Sequence, residues 1–246
     1  MDGLILGRNA VLEALKAGRP INKILVAEGA KSYAVKEIYE LAKRRQIPVQ
    51  KVRRENLARI TETSRHQGIV AYTSPKDYVT VDDILEKAKV KGEAPFIVML
   101  DHIEDPQNLG AVMRTADAVG CHGIIIPKRR SVQLTATVEK VSAGAVEYVP
   151  VARVANLPQT AQLLQEKGCW VVGLDAKASQ IYYEVDLKGP LVLVIGSEGK
   201  GISRLLKEKC DFHVRLPMVG HIDSLNAAVA ASIVMYEAAR QRWTGI

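Results

Sequence analysis

Three polar or glycine-rich segments interrupt the apolar pattern of the chain beyond residue 95. They span residues 101–115, 195–201 and 216–226. Each follows a short apolar run, such as the one over residues 191–195, of the kind that forms strands buried on both faces. In parallel α/β sheets, ligands bind beyond the carboxyl ends of the strands. We therefore expect the three segments to meet in one pocket.

The first two segments carry groups that suit a phosphate or a sugar. Asn108 lies near the start of a predicted helix, and Arg114 follows six residues later. Helical side chains lean toward the N-terminus, so we expect Arg114 to reach back toward Asn108. Glu198 supplies a fixed negative charge within the second segment, residues 195–201, which we call the glycine turn. Structural roles explain the same residues: Asn108 as a helix cap, Arg114 paired with Asp117, and Glu198 beside a helix N-terminus.

The third segment precedes the last predicted helix. Asp223 or Ser224 is expected to cap that helix, since both residue types accept hydrogen bonds from its first amides. Capping by either of them does not explain Asn226, which would then lie inside the helix as a mediocre helix former. The buried stripe of the helix is predicted to include Leu225, Val229, Ile233 and Tyr236.

Several classes of protein are excluded by what the sequence lacks. No GxGxxG opens a helix after a strand, and residues 196–201 do not form a phosphate-binding GxxxxGK[ST] loop. No HExxH or cluster of His and Cys indicates a metal site. Apolar stretches stay short of the ~18 residues of a membrane span, and the first residues do not have the pattern of an export signal. The three cysteines form no CxxC, which is typical of reduced thiols in a cytoplasmic protein.

The positive charge of the chain is concentrated near its N-terminus. Residues 1–76 hold 15 Lys and Arg against 7 Asp and Glu, a net charge of +8. The other residues hold 19 against 20, a net charge of −1. Runs such as residues 43–45 and 51–54 carry much of the excess. A basic module beside a neutral one indicates that the first part binds a polyanion, with nucleic acid favoured over a merely solvated basic face.

The apolar periodicity predicts two α/β domains, with residues 1–76 as an RNA-binding domain, 77–95 as a linker or connecting helix, and 96–246 as a catalytic domain with a mostly parallel sheet. In the first domain, strands are predicted over 21–26, 49–52 and 69–72, and Asn9 and Ser32 are expected to cap helices. In the second domain, strands are predicted over 96–100, 123–126, 148–151, 170–174, 191–195 and 212–216, and helices over 107–119, 134–142, 157–167, 202–207 and 224–242.

Taken together and in order, the three polar segments resemble the signature motifs of the SpoU (TrmH-type) RNA ribose 2′-O-methyltransferases of the SPOUT superfamily. The motifs are the block from Asn108 to Arg114, the turn over 194–201, and the segment over 216–226. The resemblance covers about residues 96–246. The basic first 75 residues resemble the L30e-like substrate-binding domain found in the ribosomal RNA branch of that family. Within that branch, the likeness is closest to enzymes that methylate a guanosine of 23S ribosomal RNA.

The resemblance implies a fold, a cofactor and partners. The fold would be a small L30e-like α/β domain followed by a SPOUT α/β domain with a deep trefoil knot. The cofactor would be S-adenosyl-L-methionine, with no metal, and the partners would be ribosomal RNA and a second copy of the chain in an obligate homodimer, with no membrane. By the same resemblance, Arg114, Asn108, Glu198, Ser224 and Asn226 would form the catalytic cluster, and Gly196, Leu216, Leu225, Ile195 and Met218 would bind the cofactor.

Methyl transfer to a ribose hydroxyl is an in-line displacement, so positioning should supply much of its acceleration. A guanidinium is effectively always charged, so we assign Arg114 to clamp the adjacent phosphate and stabilise developing alkoxide charge. A phosphate oxygen or an ordered water would then take the proton. Asn108, Ser224 and Asn226 would orient the ribose, and Glu198 would fix Arg114 or a neighbouring donor. The alternatives are the same reaction on another RNA, a non-catalytic RNA-binding or assembly protein, and a small-nucleotide enzyme that uses no RNA.

Overall fold

A computed structural model describes residues 3–16, 18–61, 63, 66–74 and 76–243 of the chain. The chain divides into two compact units. The first comprises residues 1–77 together with 133–136, and the second comprises residues 78–132 and 137–246.

The first unit is a four-stranded mixed sheet covered by helices on both faces. The strands follow the order β1-β4-β2-β3, in which only β2 and β3 are parallel. Ile24 and Val26 face α1 and α2, whereas the alternate residue Leu25 faces α3, as the two-residue period of a strand requires. The elements are β1 (Leu4–Leu6), α1 (Arg8–Lys16), β2 (Ile21–Ala27), α2 (Tyr33–Arg44), β3 (Val49–Val52), α3 (Arg54–Thr61) and β4 (Ile69–Thr73).

The second unit is built on a seven-stranded sheet in which all neighbouring strands are parallel. The strands follow the order β7-β6-β5-β10-β8-β11-β9. The elements are α4 (Val81–Val90), β5 (Phe96–Leu100), α5 (Pro106–Ala118), β6 (Gly123–Pro127), α6 (Ala136–Val141), a 3-10 turn (Ala145–Glu147), β7 (Val151–Val154), α7 (Leu157–Glu166), β8 (Trp170–Leu174), β9 (Gln180–Ile181), β10 (Leu191–Ile195), α8 (Arg204–Lys207), β11 (Phe212–Arg215) and α9 (Ala227–Arg242). The predicted α/β class with a mostly parallel sheet is confirmed.

The centre of the large sheet positions the polar segments. All residues of β5 and β10 are buried, as expected for strands covered by helices on both faces. These two strands are neighbours in parallel register, with Leu100 opposite Ile195. The segments that follow them, together with the one that follows β11, therefore leave the sheet at the same edge.

The segment predicted as a linker or connecting helix, 77–95, contains α4, and its residues 78–95 belong to the second unit. Thr80 and Asp83 form a capping box at the start of this helix, and Ile84 is fully buried. A Cβ on Gly123 would lie 2.6 Å from Cδ1 of Ile84, so the glycine makes room for the helix against β6. Of the two predicted alternatives, linker or connecting helix, the segment contains a helix, and its charged residues form the solvent face of that helix.

Other local predictions also need correction. The cap of α1 is not Asn9, because the helix begins at Arg8 and Val11 N already donates to Gly7 O at 3.0 Å. The strand predicted over 148–151 begins only at Val151, since a 3-10 turn ends just before exposed Tyr148. The short strands β1 and β9 were not anticipated by the periodicity. The cap at Ser32 is observed, where the hydroxyl accepts from Val35 N.

Candidate active site

The first polar segment is held by the start of α5. Asp105 caps this helix, accepting from Gln107 N at 2.9 Å, and Pro106 occupies the first helical turn. Asn108 is therefore not the cap, contrary to the structural alternative considered above. Its side chain is left free to point toward the other polar segments.

The third segment ends at Asn226, which is the true cap of α9. Its Oδ1 accepts from Ala228 N at 3.0 Å and from Val229 N at 3.2 Å. The helix thus begins two to three residues later than predicted, and neither Asp223 nor Ser224 caps it. A cap of this kind occupies only the carbonyl end of the amide, so Nδ2 is available for other partners.

Glu198 of the glycine turn forms hydrogen bonds with both asparagines. Its Oε1 accepts from Asn226 Nδ2 at 2.6 Å and from Asn108 Nδ2 at 3.0 Å. Asn226 Nδ2 also donates to Asn108 Oδ1 at 2.8 Å. We call Asn108, Glu198 and Asn226 the amide–carboxylate cluster. Three residues that are 28 to 118 positions apart in sequence meet in it.

The glycine turn itself is closed by backbone contacts. Ser197 and Gly201 exchange two hydrogen bonds, and a Cβ on Gly196 would lie 2.0 Å from the backbone carbon of Gly201. Gly199 and Gly201 both have positive φ angles, of +77° and +66°. Side chains at these positions would force the turn open.

A cavity of about 460 Å³ lies between this turn, the segment after β11 and the start of α9. All five residues that the resemblance assigned to cofactor binding line it, and so does Ser224. Asp175 and Lys207, which the sequence did not single out, form an ion pair at its edge. Burial raises the pKa of Asp175, but the hydrogen bonds from Lys207 and Lys177 N, together with the nearby positive charge of Lys207, outweigh burial and hold the pKa below its ordinary value.

A second cavity, of about 740 Å³, lies on the other side of the glycine turn. Ser197, Glu198, Lys200 and Gly201 line both cavities, so the turn is a shared wall. Asn108 also lines the second cavity. The remaining lining residues are His102, Ile103, Glu104 and Asp105 of the first polar segment, together with Arg130 and Ser203, which lie outside the three segments and follow β6 and β10.

Arg114 lies apart from the amide–carboxylate cluster. It is exposed on α5, lines neither cavity, and within the described part of the chain forms no hydrogen bond or ion pair. The ion pair with Asp117 considered above is therefore absent among the described residues. Six residues correspond to about 240° of rotation around a helix, which turns Arg114 away from Asn108.

The outer face of α9 also differs from expectation. Val229 and Tyr236 are each 48% exposed, while small residues such as Ala231 and Ala238 are fully buried against the rest of the unit. The predicted buried stripe through Leu225, Val229, Ile233 and Tyr236 is therefore wrong. Periodicity could not choose the side, because the helix is apolar almost all the way round.

No group of His, Cys, Asp and Glu in the described ranges is arranged to hold a metal ion. Across those same ranges, no helix is both long and apolar enough to cross a membrane.

Comparison with known proteins identifies the family. The sequence profile described as the SpoU rRNA methylase family matches residues 95–236, more than half of the chain. A second profile, described as RNA 2′-O ribose methyltransferase substrate binding, matches residues 4–79. The chain belongs to the SpoU rRNA methylase family. It is therefore an RNA methyltransferase of the SpoU/TrmH type.

Individual relatives agree with this assignment. A Bacillus subtilis protein provisionally named a TrmH family tRNA/rRNA methyltransferase is 51% identical over 238 residues, covering 97% of this chain and 95% of the relative. The SpoU methyltransferase AviRb from Streptomyces viridochromogenes, solved in complex with AdoMet, is 26% identical with a TM-score of 0.62, covering 97% and 90%. An AdoMet-bound rRNA methyltransferase from Sinorhizobium meliloti is 28% identical with a TM-score of 0.62, covering 98% and 88%.

Proposed function

We propose that this chain transfers a methyl group from S-adenosylmethionine to the ribose 2′-hydroxyl of a guanosine in 23S ribosomal RNA. The observation that carries the proposal is the shared wall between the two cavities. The turn with Glu198 separates the cavity lined by the five expected cofactor residues from a polar cavity of a size suited to a nucleotide. A methyl donor on one side and a sugar on the other would meet at the amide–carboxylate cluster.

The cofactor is S-adenosylmethionine, which supplies an electrophilic methyl group on a sulfonium. The cavity suits it: the turn that forms one wall can close because Gly196 has no side chain to meet the Gly201 backbone, and Leu216, Met218 and Leu225 provide apolar walls. Because the turn is held by its own hydrogen bonds, its amides are already oriented before a ligand enters.

In the amide–carboxylate cluster, each side chain has a proposed part. Glu198 accepts from both asparagine amides and fixes their orientation, so that their remaining donor and acceptor positions meet the ribose. Ser224, at the mouth of the cofactor cavity, supplies a further hydroxyl. Arg114 is proposed to clamp the phosphate next to the target sugar, since its planar fork matches phosphate oxygens.

We propose that the active form is a homodimer. Arg114 is exposed on α5, and α5 packs directly against α9, whose outer face exposes Val229 and Tyr236. Tyr182, Ile233, Tyr236 and Trp243 line an open apolar hollow of about 550 Å³ on this side. Burial of such a face in a second copy would bring Arg114 to the subunit boundary. A molar mass of one chain by light scattering, under conditions where methylation occurs, would contradict this arrangement.

The first unit is proposed to bind the RNA. Its net charge of +8 over residues 1–76 provides the attraction to phosphate, and the match of residues 4–79 to a substrate-binding family supports that role. Replacing Lys43, Arg44 and Arg45 by Gln should weaken RNA binding and flatten its salt dependence while leaving the affinity for S-adenosylmethionine unchanged.

The same reaction on a transfer RNA is the second candidate, because the relatives carry tRNA/rRNA in their names. Mapping ribose methylation by mass spectrometry in cells with and without the gene distinguishes the two. We expect one guanosine of 23S ribosomal RNA to lose its 2′-O-methyl group, and restoration by the wild-type chain but not by Asn226→Ser. Loss confined to a transfer RNA would favour the second candidate, and an unchanged methylation pattern would contradict both.

A further inference from the structure

A tightly held pair of side chains lies at the carboxyl end of β5, outside the amide–carboxylate cluster. The side chain of Asp101 is 1% exposed. Its Oδ2 accepts from Ser203 N at 2.7 Å, and its Oδ1 accepts from Nδ1 of His102 at 2.5 Å. A buried carboxylate with both oxygens occupied fixes the groups that donate to it. The ring of His102 is therefore held in one orientation.

The backbone at His102 supports the same conclusion. Its φ angle is +57°, in the left-handed region that few residues other than glycine adopt. Such a conformation persists where the surroundings fix it. Asp101 itself stays bonded to the neighbouring strand β10, because its backbone N donates to Ile195 O at 2.8 Å. The chain is thus turned sharply at His102 while the preceding residue stays anchored in the sheet.

The hydrogen bond with Asp101 also decides which nitrogen of the His102 ring is available to accept a proton. Nδ1 carries its proton toward the carboxylate, so in the neutral ring Nε2 holds the free lone pair. None of the described residues donates to Nε2. His102 is partly exposed and lines the cavity of about 740 Å³, together with Asn108 and Glu198. An oriented proton acceptor thus borders the space assigned to the target nucleotide.

The other polar groups facing this cavity are less suited to take a proton. Glu104, Asp105 and Glu198 are carboxylates, which are weaker bases than an imidazole. Asp105 Oδ1 is also engaged by Gln107 N, and Glu198 Oε1 by the two asparagines. Lys200 and Arg130 are cations without an acceptor position when charged. The titratable or charged groups around the ring are Asp101, Glu104, Asp105, Arg130, Glu198 and Lys200.

We propose, on the basis of the function proposed above, that Nε2 of His102 is the general base that removes the proton from the ribose hydroxyl. The bond that forms joins the 2′-oxygen to the methyl carbon. The bond that breaks joins that carbon to the sulfonium sulfur, which keeps the electron pair. The hydroxyl proton goes to Nε2, and Asp101 stabilises the resulting imidazolium before the proton passes to water. This assigns the proton to a residue of the chain in place of the phosphate or water acceptor expected from the sequence.

The kinetic test compares the wild type with His102→Gln, whose polar amide replaces the imidazole but cannot take up a proton. Single-turnover methyl transfer to a 23S ribosomal RNA transcript is measured from pH 5 to 9 with tritiated S-adenosylmethionine. General bases contribute about 10²- to 10⁴-fold, so we expect at least a hundredfold slower transfer in the variant. The wild-type rate should fall toward the acid end of this range because a general base acts only when it is unprotonated, and this acid limb should vanish in the variant. The matched control is His122→Gln, a histidine at the opposite end of the sheet that lines neither cavity and should keep the wild-type profile.

The affinities for S-adenosylmethionine and for the transcript, measured separately, should stay within about twofold in His102→Gln, because a general base acts on the rate and not on binding. An unchanged rate and acid limb in His102→Gln would overturn the assignment, as would a variant defective only in binding.

A second measurement, which requires no methyl transfer, records nuclear magnetic resonance spectra of the five nitrogen-15-labelled histidines of the chain. In long-range proton–nitrogen spectra at pH 7.5, the signals lost in His102→Gln should be those of a ring protonated at Nδ1 alone. Protonation at Nε2 alone would overturn the proposal even if no RNA substrate were in hand. A wild type that fails to methylate any ribose of the RNA would instead contradict the proposed function, so the two failures are distinguishable.

Discussion

The double role of Asn226 allows its contribution to stability to be separated from its contribution to activity. Oδ1 caps α9, while Nδ2 donates to Glu198 and Asn108. Serine is as good a cap as asparagine, but its single hydroxyl cannot bridge to the other two side chains while capping. Asn226→Ser should therefore keep the helix and lose the amide–carboxylate cluster, whereas Asn226→Ala should lose both.

The magnitudes follow from the bonds removed. A lost cap costs about 1 kcal/mol, which for a unit of this size lowers the melting temperature by about 2–4 °C. A hydrogen bond to a charged group contributes about 1.5–3 kcal/mol, and the solvent-exposed position of the cluster favours the lower value. At about 1.4 kcal/mol per factor of ten, methyl transfer should slow by about 10- to 30-fold in both variants.

The assay combines thermal melts with tritiated methyl incorporation into ribosomal RNA at saturating cofactor. Asn156 provides a matched control, since it caps α7 by the same kind of bond, to Gln159 N at 3.1 Å, and lines neither cavity of the site. Asn156→Ala should melt like Asn226→Ala and keep full activity. The reasoning is refuted if Asn226→Ser transfers methyl groups at the wild-type rate, or if it melts as low as Asn226→Ala.

Three further predictions concern the turn, the clamp and the core. Gly196→Ala should abolish detectable binding of S-adenosylmethionine by calorimetry, because the added methyl would overlap the turn's own backbone, whereas Gly189→Ala, with nothing within 4 Å, should bind normally. Arg114→Lys should slow methyl transfer at least tenfold because it keeps the charge but loses the fork; near-normal turnover would rule out the clamp. Burial lowers the pKa of His122 against the opposing effect of Glu93, and its Nδ1 accepts from Phe96 N, which requires a neutral ring. Stability should therefore be complete above about pH 6.5 and fall by up to about 1.4 kcal/mol per pH unit below it. Urea melts at pH 7.5 and 5.5 check this, and an equal loss in His122→Gln would contradict it.

The strands at the centre of the large sheet were the most predictable part of the fold. The runs over 96–100, 170–174 and 191–195 match the observed strands residue for residue, because strands buried on both faces are uniformly apolar. Their parallel arrangement then places the polar segments at one edge, so the meeting of Asn108, Glu198 and Asn226 follows from sequence reasoning.

What the sequence could not provide depends on contacts between distant residues. The start of α9 was misplaced because Ser and Asn are equally good caps, and only the partners of Asn226 choose between them. The exposed face of α9 was misassigned because both of its faces are apolar. His102 was not singled out within the first polar segment, since its orientation comes from the buried carboxylate beside it and a backbone amide 102 residues away from that carboxylate.

The close packing of α5 against α9 sets the spacing of the reactive groups. Thr115 of α5 bonds Ser232 of α9 at 2.8 Å, so the two helices approach closely. Asn108 is carried by one of these helices and Asn226 by the start of the other. A side chain only a few carbons larger in this seam would splay the pair and draw the two amides apart, without touching either of them. A substitution at a buried position that carries no reactive group would thus change the rate of methyl transfer without contacting the site.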